Sequence, residues 1–412
     1  MKRVVITGMG AVSPLGNDVN TLWENISAGQ SGVTYIEDPA FAEMDTKMAA
    51  QVKDFDGGAY LSKKDLKVYD LAIQYGYAAA LQAIEQAALS LDAIDLDRAG
   101  VYIGSGAGGL GTLFAGYDTL KERGARRVSP FLVSMSIANM VSGVVAMKTG
   151  FRGASFSAAS ACATGNHSIG EAYHHIAHGY ADLILAGGAE APIHPLYFAG
   201  FNKMKAMSRR NEAVEKASRP FDVSRDGFVM GEGAGVLLLE SYEHAVERGA
   251  HILAEIVGYG ATTDAYHMTS PHYEGAAKAM QLALERADLE PEAVDYINAH
   301  GTSTPTGDIS EVEAINQVFG QSDLKVSSTK SMTGHLFGAA GGIEAIITTL
   351  AIGADYYPPS INIEELDPLC KINVVKNNGE HAPIEYAMSN GFGFGGHNAV
   401  LLLKKYREQD EQ

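Results

Sequence analysis

The sequence predicts an α/β protein built from two similar halves, and two observations carry that prediction. Short apolar runs ending in glycine-rich loops recur along the chain: VVITGMG (4–10), VYIGSG (101–106), LILAGGAE (183–190), EIVGYG (255–260) and YINAHGT (296–302). Helical patterns separate most of them, as expected where buried strands alternate with helices. The second observation is a weak internal repeat that keeps its order. ITGMGA at Ile6 resembles IVGYGA at Ile256, Tyr102-Ile103 resembles Tyr296-Ile297, the stretch after Cys162 resembles the stretch after His335, and Val236–Leu239 resembles Val400–Leu403. We read halves at 1–250 and 251–412, with insertions in the first and no proline-rich linker between them, so they should pack as one unit.

The composition fits this reading. Glycine is 46 of 412 residues, well above the usual ~7%, so many tight turns and close backbone approaches are expected. A net charge of −18 argues against a nucleic-acid partner. Two cysteines, Cys162 and Cys370, cannot form a disulfide framework. The opening MKRVVITGMG reads as a strand, not a signal peptide, and no run approaches 18 consecutive apolar residues, so no membrane span and a cytoplasmic location are expected. The polar tail KKYREQDEQ is expected to fray.

The stretch Ser160–Gly179 organises the chain. Ile169, Ala172, Tyr173 and Ile176 mark one helical face, Ser160 is a candidate N-cap and Gly179 a candidate C′ residue, which predicts a helix over 161–178. Cys162 would lie in its first turn, where free N–H groups and the helix dipole favour a thiolate. A lone cysteine more often packs as a small hydrophobe, so the helix start alone leaves both readings open. If a pseudo-twofold relates the halves, Cys162 and His335 occupy equivalent helix starts and can face one another. His300 follows a strand in NAHGTSTPTGD, His335 opens a helix in STKSMTGHLFGAAGGIEA, and SNGFGFGGHN (389–398) makes a third loop before a strand. A thiol with imidazoles supplied from other segments is a nucleophilic pattern.

These loops, with ACATG (161–165), RPFDVSRDGFVMGEGAG (219–235) and DAYHMTSP (264–271), closely resemble the β-ketoacyl–acyl carrier protein synthases of type II fatty-acid synthesis, on the KAS I and KAS II side. The resemblance spans nearly the whole chain. It implies the thiolase fold, five layers (αβαβα) from two duplicated halves, and a decarboxylative condensation of malonyl units with an acyl group held on Cys162. It implies that His300 and His335 donate hydrogen bonds to the developing enolate, and that the backbone N–H groups of Cys162 and Phe394 form a second oxyanion hole. Lys330 and Glu344 match the family's supporting pair and Thr302 and Thr304 match contacts to the pantetheine arm, while Asp308 and Glu311 are expected to support that loop. Asn298, Glu344, Ser389 and Asn390 resemble a structural monovalent-cation site (Na+ or K+) of some members; no other cofactor is implied.

The resemblance also implies a homodimer and an acyl carrier protein as partner. Carrier proteins are acidic, so docking on a chain of −18 needs a local basic patch. Candidates are Lys63, Lys64 and Lys67, then Arg126 and Arg127, then Lys203, Lys205, Arg209 and Arg210. Ala107, where many KAS II enzymes carry isoleucine, is expected to open the acyl pocket, which Phe131 and its segment 128–140 would line across the dimer interface. Phe392 belongs to the substrate-facing loop, and Gly391, in place of the family's usual serine, is expected to loosen it. GSGAGG (104–109) fits a nucleotide-loop pattern, but no acidic residue closes a following strand. The spacings lack the paired ligands of zinc sites. Degradative thiolases need a second cysteine where this chain has His397. The rivals left are a polyketide-type ketosynthase, with the same chemistry, and a non-catalytic chain-length partner, which an intact Cys162 counts against.

Overall fold

In the computed structural model, residues 1–320 and 322–407 are described, so the last residues of the polar tail lie outside them. The main sheet has ten strands. In chain order they are β1 (Val4–Val12), β2 (Ala99–Gly104), β3 (Leu183–Glu190), β4 (Gly233–Ser241), β5 (Ala254–Thr263), β6 (Tyr296–Asn298), β7 (Lys325–Ser327), β8 (Asn373–Val374), β9 (Tyr386–Gly393) and β10 (His397–Lys405). The spatial order is β8-β7-β6-β9-β10-β5-β1-β4-β3-β2.

From the β1–β5 junction outward, β4, β3 and β2 on one side answer β10, β9 and β6 on the other. The junction itself is symmetric: Val4 pairs with Ile256, Val5 with Glu255 and Ile6 with Ala254, so exchanging the strands of the ITGMGA/IVGYGA repeat reproduces the register. The repeat read from short sequence matches is thus the symmetry of the sheet, and the fold is the duplicated five-layer thiolase arrangement.

Period-2 alternation builds the layers. On β4, Leu237 and Leu239 face a central core while Val236 and Leu238 face an outer one; on β10, Leu401 and Leu403 face the same central core while Val400 and Leu402 face the opposite outer layer. The outer layers include α1 (Leu71–Gln86) and α3 (Tyr273–Ala287), and the central layer is α2 (Thr164–Ala177) with α4 (Ala340–Ala354). The segment Phe337–Ala354 is long and apolar enough to cross a membrane, but 78% of it is buried, as befits a helix enclosed by the protein's own sheet faces.

Candidate active site

The central helices begin with matching geometry. A 3-10 turn, Ala161–Ala163, precedes α2, and another, Phe337–Ala339, precedes α4. Each opens on a residue with positive φ, 50° at Ala161 and 48° at Phe337. This left-handed backbone is strained for residues with a Cβ and turns the next residue sharply out of the helix axis. The structural counterpart of Cys162 is therefore Gly338, not His335, which lies three residues earlier. The sequence match was offset because it aligned Gly165 with Gly338, whereas the turns align Gly165 with Gly341. The two halves still bring Cys162 and His335 face to face.

The helix begins later than expected. Ser160 gives α2 no side-chain cap; its Oγ instead bonds His167 Nδ1 at 2.8 Å. Gly179 follows the helix end with φ of 79°, as expected of a C′ glycine. Cys162 lies 2.9 Å from His335 Nε2. The backbone amides of Cys162 and Phe394 favour the thiolate form of this sulfur. Burial nevertheless pushes the thiol up to about 12, against the lowering pull of Lys330 and these amides, so the resting group is a thiol. The helix-start argument for easy ionisation omitted desolvation, which is the larger effect here.

His335 sits among aromatic rings, stacked on Phe337 at 5.0 Å and edge-on to Phe228 at 5.7 Å. His300 is nearly perpendicular to it, 5.5 Å between centroids. Burial, and then the charge of Lys330, hold both imidazoles well below their ordinary range and hence neutral. Nδ1 of each is buried without a partner. An unpaired buried N–H is costlier than an unpaired lone pair, which favours the tautomer with the proton on Nε2. Both rings then present a donor. Lys330, itself buried, pairs with Glu344 Oε1, which fixes the ammonium where it acts on Cys162, His300 and His335.

The His300 turn is shaped by Glu311, whose carboxylate accepts from His300 N (2.9 Å) and Gly301 N (2.7 Å). Asp308 accepts from Phe221 N (2.9 Å) and Thr304 N (3.2 Å). A cavity of 440 Å³ is lined by Cys162, His300, His335, Phe392 and Phe394, and leads past Thr302, Thr304, Ser270 and Lys205. Ala107 and Phe131 do not line it. Ala107 N bonds Glu190 Oε1 at 3.0 Å, and Phe131 is exposed near Val133 and Ile137.

The space beside Gly391 is not slack: a Cβ there would meet Asn166 Oδ1 at 2.5 Å. The expected loosening is replaced by a packed Asn166–Gly391 contact. Of the residues expected at a cation site, three have buried oxygens without partners, Glu344 Oε2, Ser389 Oγ and Asn390 Oδ1, whereas the orphan atom of Asn298 is Nδ2, a donor that cannot ligate a cation. Such oxygens normally find water or an ion, so those three residues fit a cation, although no cluster of three or more His, Cys, Asp or Glu able to hold a metal occurs among the described residues. Of the basic candidates, Lys63, Lys64, Lys67, Arg126, Arg127, Lys203 and Lys205 are exposed. Arg209 is paired with Asp45 at 2.7 Å and Arg210 bonds Ser224 O at 3.1 Å.

Sequence reasoning missed Glu190. This fully buried carboxylate accepts from Ser105 Oγ (2.7 Å), Gly106 N (2.7 Å), Ala107 N (3.0 Å) and Gly338 N (2.9 Å), tying the GSGAGG loop to the turn before α4. A carboxylate closing the apolar run LILAGGAE was the available signal, because a strand end is where a buried acid can meet loop amides.

A thiol, two neutral imidazoles and a pair of backbone donors, meeting where two halves of a thiolase fold cross, define a thiol-based condensing enzyme. The sequence patterns of the β-ketoacyl synthase N-terminal and C-terminal domains match residues 1–245 and 253–364, and the chain belongs to that family. The chain is 48% identical over 412 residues to 3-oxoacyl-[acyl-carrier-protein] synthase 2 of Vibrio harveyi, covering 99% of each. Among solved structures it is similar to a β-ketoacyl synthase from Burkholderia phymatum, with TM-score 0.93, 38% identity, and 99% and 100% of the two chains covered. It is also similar to a type II PKS ketosynthase, bound to the hexaketide, in complex with its acyl-carrier protein, with TM-score 0.90, 35% identity, and 98% and 100% covered.

Proposed function

We propose that this chain is a condensing enzyme of fatty-acid synthesis that joins malonyl-carrier protein to an acyl group held on Cys162, releasing 3-oxoacyl-carrier protein and CO2. The observation that carries the reading is the 2.9 Å contact between Cys162 Sγ and His335 Nε2 in a cavity shared with His300. In the first step the sulfur attacks the acyl thioester; the bond to Cys162 forms, the carrier thiol leaves, and the proton of Cys162 ends on it. The Cys162 and Phe394 amides hold the oxyanion of this step.

In the second step malonyl-carrier protein loses CO2. The enolate oxygen is held by Nε2–H of His300 and His335, neutral donors that do not have to surrender a proton. The resulting carbanion attacks the acyl carbonyl, the C–C bond forms, the C–S bond to Cys162 breaks, and the departing thiolate takes one proton from solvent to restore the thiol. Burial, aided by the charge of Lys330, keeps both imidazoles neutral, and Lys330 offsets the negative charge that passes through the site. Glu344, Ser389 and Asn390 would hold a monovalent cation, which supplies fixed positive charge behind the site. Thr302 and Thr304, facing the cavity, suit the pantetheine arm.

An acyl carrier protein is the partner in this reading, docking on exposed basic side chains, of which Lys205 lines the cavity, and the exposed apolar segment with Phe131, Val133 and Ile137 suits a homodimer in the cytoplasm. The 48% relative favours fatty-acid over polyketide synthesis, since the polyketide neighbour stands at 35%. The test is mass spectrometry of the protein offered acyl carrier proteins of graded chain length. An adduct on the wild type and none on Cys162→Ala is expected; no adduct on either removes the proposal.

A further inference from the structure

We propose that Asn166 is a further ligand of the buried monovalent cation, its side-chain oxygen joining those of Ser389 and Glu344 where α2, β9 and α4 meet. The inference rests on the cation reading above and adds a residue from the nucleophile's own helix. Asn166 is fully buried on the first turn of α2. Its Nδ2 donates to Ser389 O at 3.0 Å, while its Oδ1 is buried with no partner.

Three observations place this oxygen with the others. Asn166 reaches the carbonyl of Ser389, a residue whose own Oγ also lacks a partner. Ser389 is the register partner of Asn298 on the neighbouring parallel strand, which sets this strand end beside β6. From α4, Gly341 lies so close that a Cβ there would meet Asn166 Oδ1 at 2.1 Å, and Glu344, one helical turn on, has a buried and partnerless Oε2. Strand, nucleophile helix and opposing helix therefore each contribute polar atoms with nothing to bond. An orphaned acceptor of this kind costs free energy unless water or an ion satisfies it.

Charge selects an ion of +1. Glu344 and Glu311 are both buried and repel one another, while Lys330 is the cation that acts on both. When both carboxylates are ionised, two negative charges face one ammonium, and a bound monovalent cation would offset the difference. Carboxamide and hydroxyl oxygens with a single free carboxylate oxygen suit Na+ or K+ better than a divalent ion, which draws on several carboxylates. Gly391 and Gly341 fit the same picture, since a side chain at either would occupy the volume of Asn166 Oδ1.

The test measures thermal unfolding of the full chain in N-methylglucamine chloride, titrated with NaCl or KCl at constant ionic strength. Ions that bind the folded state raise Tm with concentration. Wild type is expected to gain several degrees, Asn166→Ala to need about tenfold more ion for the same gain (about 1.4 kcal/mol), and Asn166→Asp, which keeps the shape and adds charge, to need less. If Asn166→Ala does not fold, Asn166→Asp carries the comparison, supported by an anomalous peak within bonding distance of residue 166 in Rb+-soaked wild-type crystals. Equal ion dependence in all variants overturns the role of Asn166 while leaving the cation in place. No ion dependence in the wild type overturns the cation itself, and with it this inference.

Discussion

Two turns of the same shape do different work. Ala161–Ala163 and Phe337–Ala339 each begin with left-handed backbone, each lead into a central helix, and each are approached closely by a strand-end glycine. A Cβ on Gly393 would meet Ser160 O at 2.4 Å, and one on Gly188 would meet Gly338 O at 2.0 Å. In the first turn the position turned into the cavity is the buried Cys162 thiol. In the second the matching position is Gly338, whose N–H is bound by Glu190, and the chemistry has moved to His335, three residues earlier. Duplication supplied two equivalent crossings; one carries the thiol that holds the acyl group, and the other stands beside the histidine that holds the enolate. The same division holds at the loops after β2 and β6: Glu190 ties down Gly106, and Glu311 ties down His300, but only the second loop carries a reactive ring.

The sharpest way to break this comparison is to remove the chemistry from the second half alone. His335→Ala and His300→Ala are expected to lower condensation by about 10²–10³-fold, the loss typical of a missing oxyanion donor. Acylation of Cys162 should survive in His300→Ala, read by mass spectrometry. Equal loss of acylation and condensation in His300→Ala would merge the two roles that the halves separate.

Next come the glycines. Gly393→Ala places a methyl group against the backbone of the Cys162 turn, and that contact cannot yield as a flexible side chain would. We expect kcat to fall by more than about tenfold, since misplacement of about 1 Å at a reacting centre can cost 10²-fold. Gly188→Ala presses equally hard on the other turn, yet should appear first as lost stability, by about 1–3 kcal/mol as for overpacking. Unfolding curves beside kinetics would read the two apart, and identical profiles would contradict the division of labour.

How much of this was legible follows from the kind of signal. The β1/β5 and β4/β10 repeats were visible because buried strands demand apolar runs whose glycine-rich ends keep their spacing. Cys162, His300 and His335 were visible because their motifs are long and specific. The shift from His335 to Gly338 as the counterpart of Cys162 was not, because small residues on both helix starts allow several alignments and only the backbone angles decide between them. The raised thiol pKa was equally hidden, since desolvation depends on what the rest of the fold lays over the sulfur. Asn166 and Glu190 read as ordinary helix and strand residues until packing gave them partners.

A pH test separates two buried carboxylates, one from each half. Glu232, held by Val52 N at 3.1 Å, is raised by burial to about 7, and Glu344 is raised to about 7 by burial against the pull of Lys330. A raised carboxylate keeps its proton in the folded state after the unfolded chain has released it, so stability is present at low pH and lost as pH climbs from the ordinary glutamate value of 4.5 through about 7. Glu232→Gln should flatten that fall and raise stability at pH 8 by on the order of 3 kcal/mol. Glu344→Gln should do the opposite, lowering stability by about 3–5 kcal/mol because it strands the Lys330 ammonium. Urea unfolding at pH 5 and pH 8 checks both signs; a stabilised Glu344→Gln would mean that Lys330 does not depend on its partner.

The smallest effect is expected at the surface of the first half, where binding and not chemistry is at stake. Lys63, Lys64 and Lys67 lie exposed, while Arg209 is already paired with Asp45 and Arg210 with Ser224. A free cation can meet an acidic carrier protein without first breaking a bond, whereas a paired one must exchange partners. Reversing the three lysines to Glu should raise KM for carrier-bound substrate about tenfold, fading with added salt as surface charge is screened, and leave a small thioester substrate unaffected. Arg209→Glu should change KM less, because the charge it removes was already neutralised by Asp45. If the two substitutions act alike, or if the small thioester loses as much as the carrier-bound one, then these lysines shape the active site from a distance and the docking surface lies elsewhere.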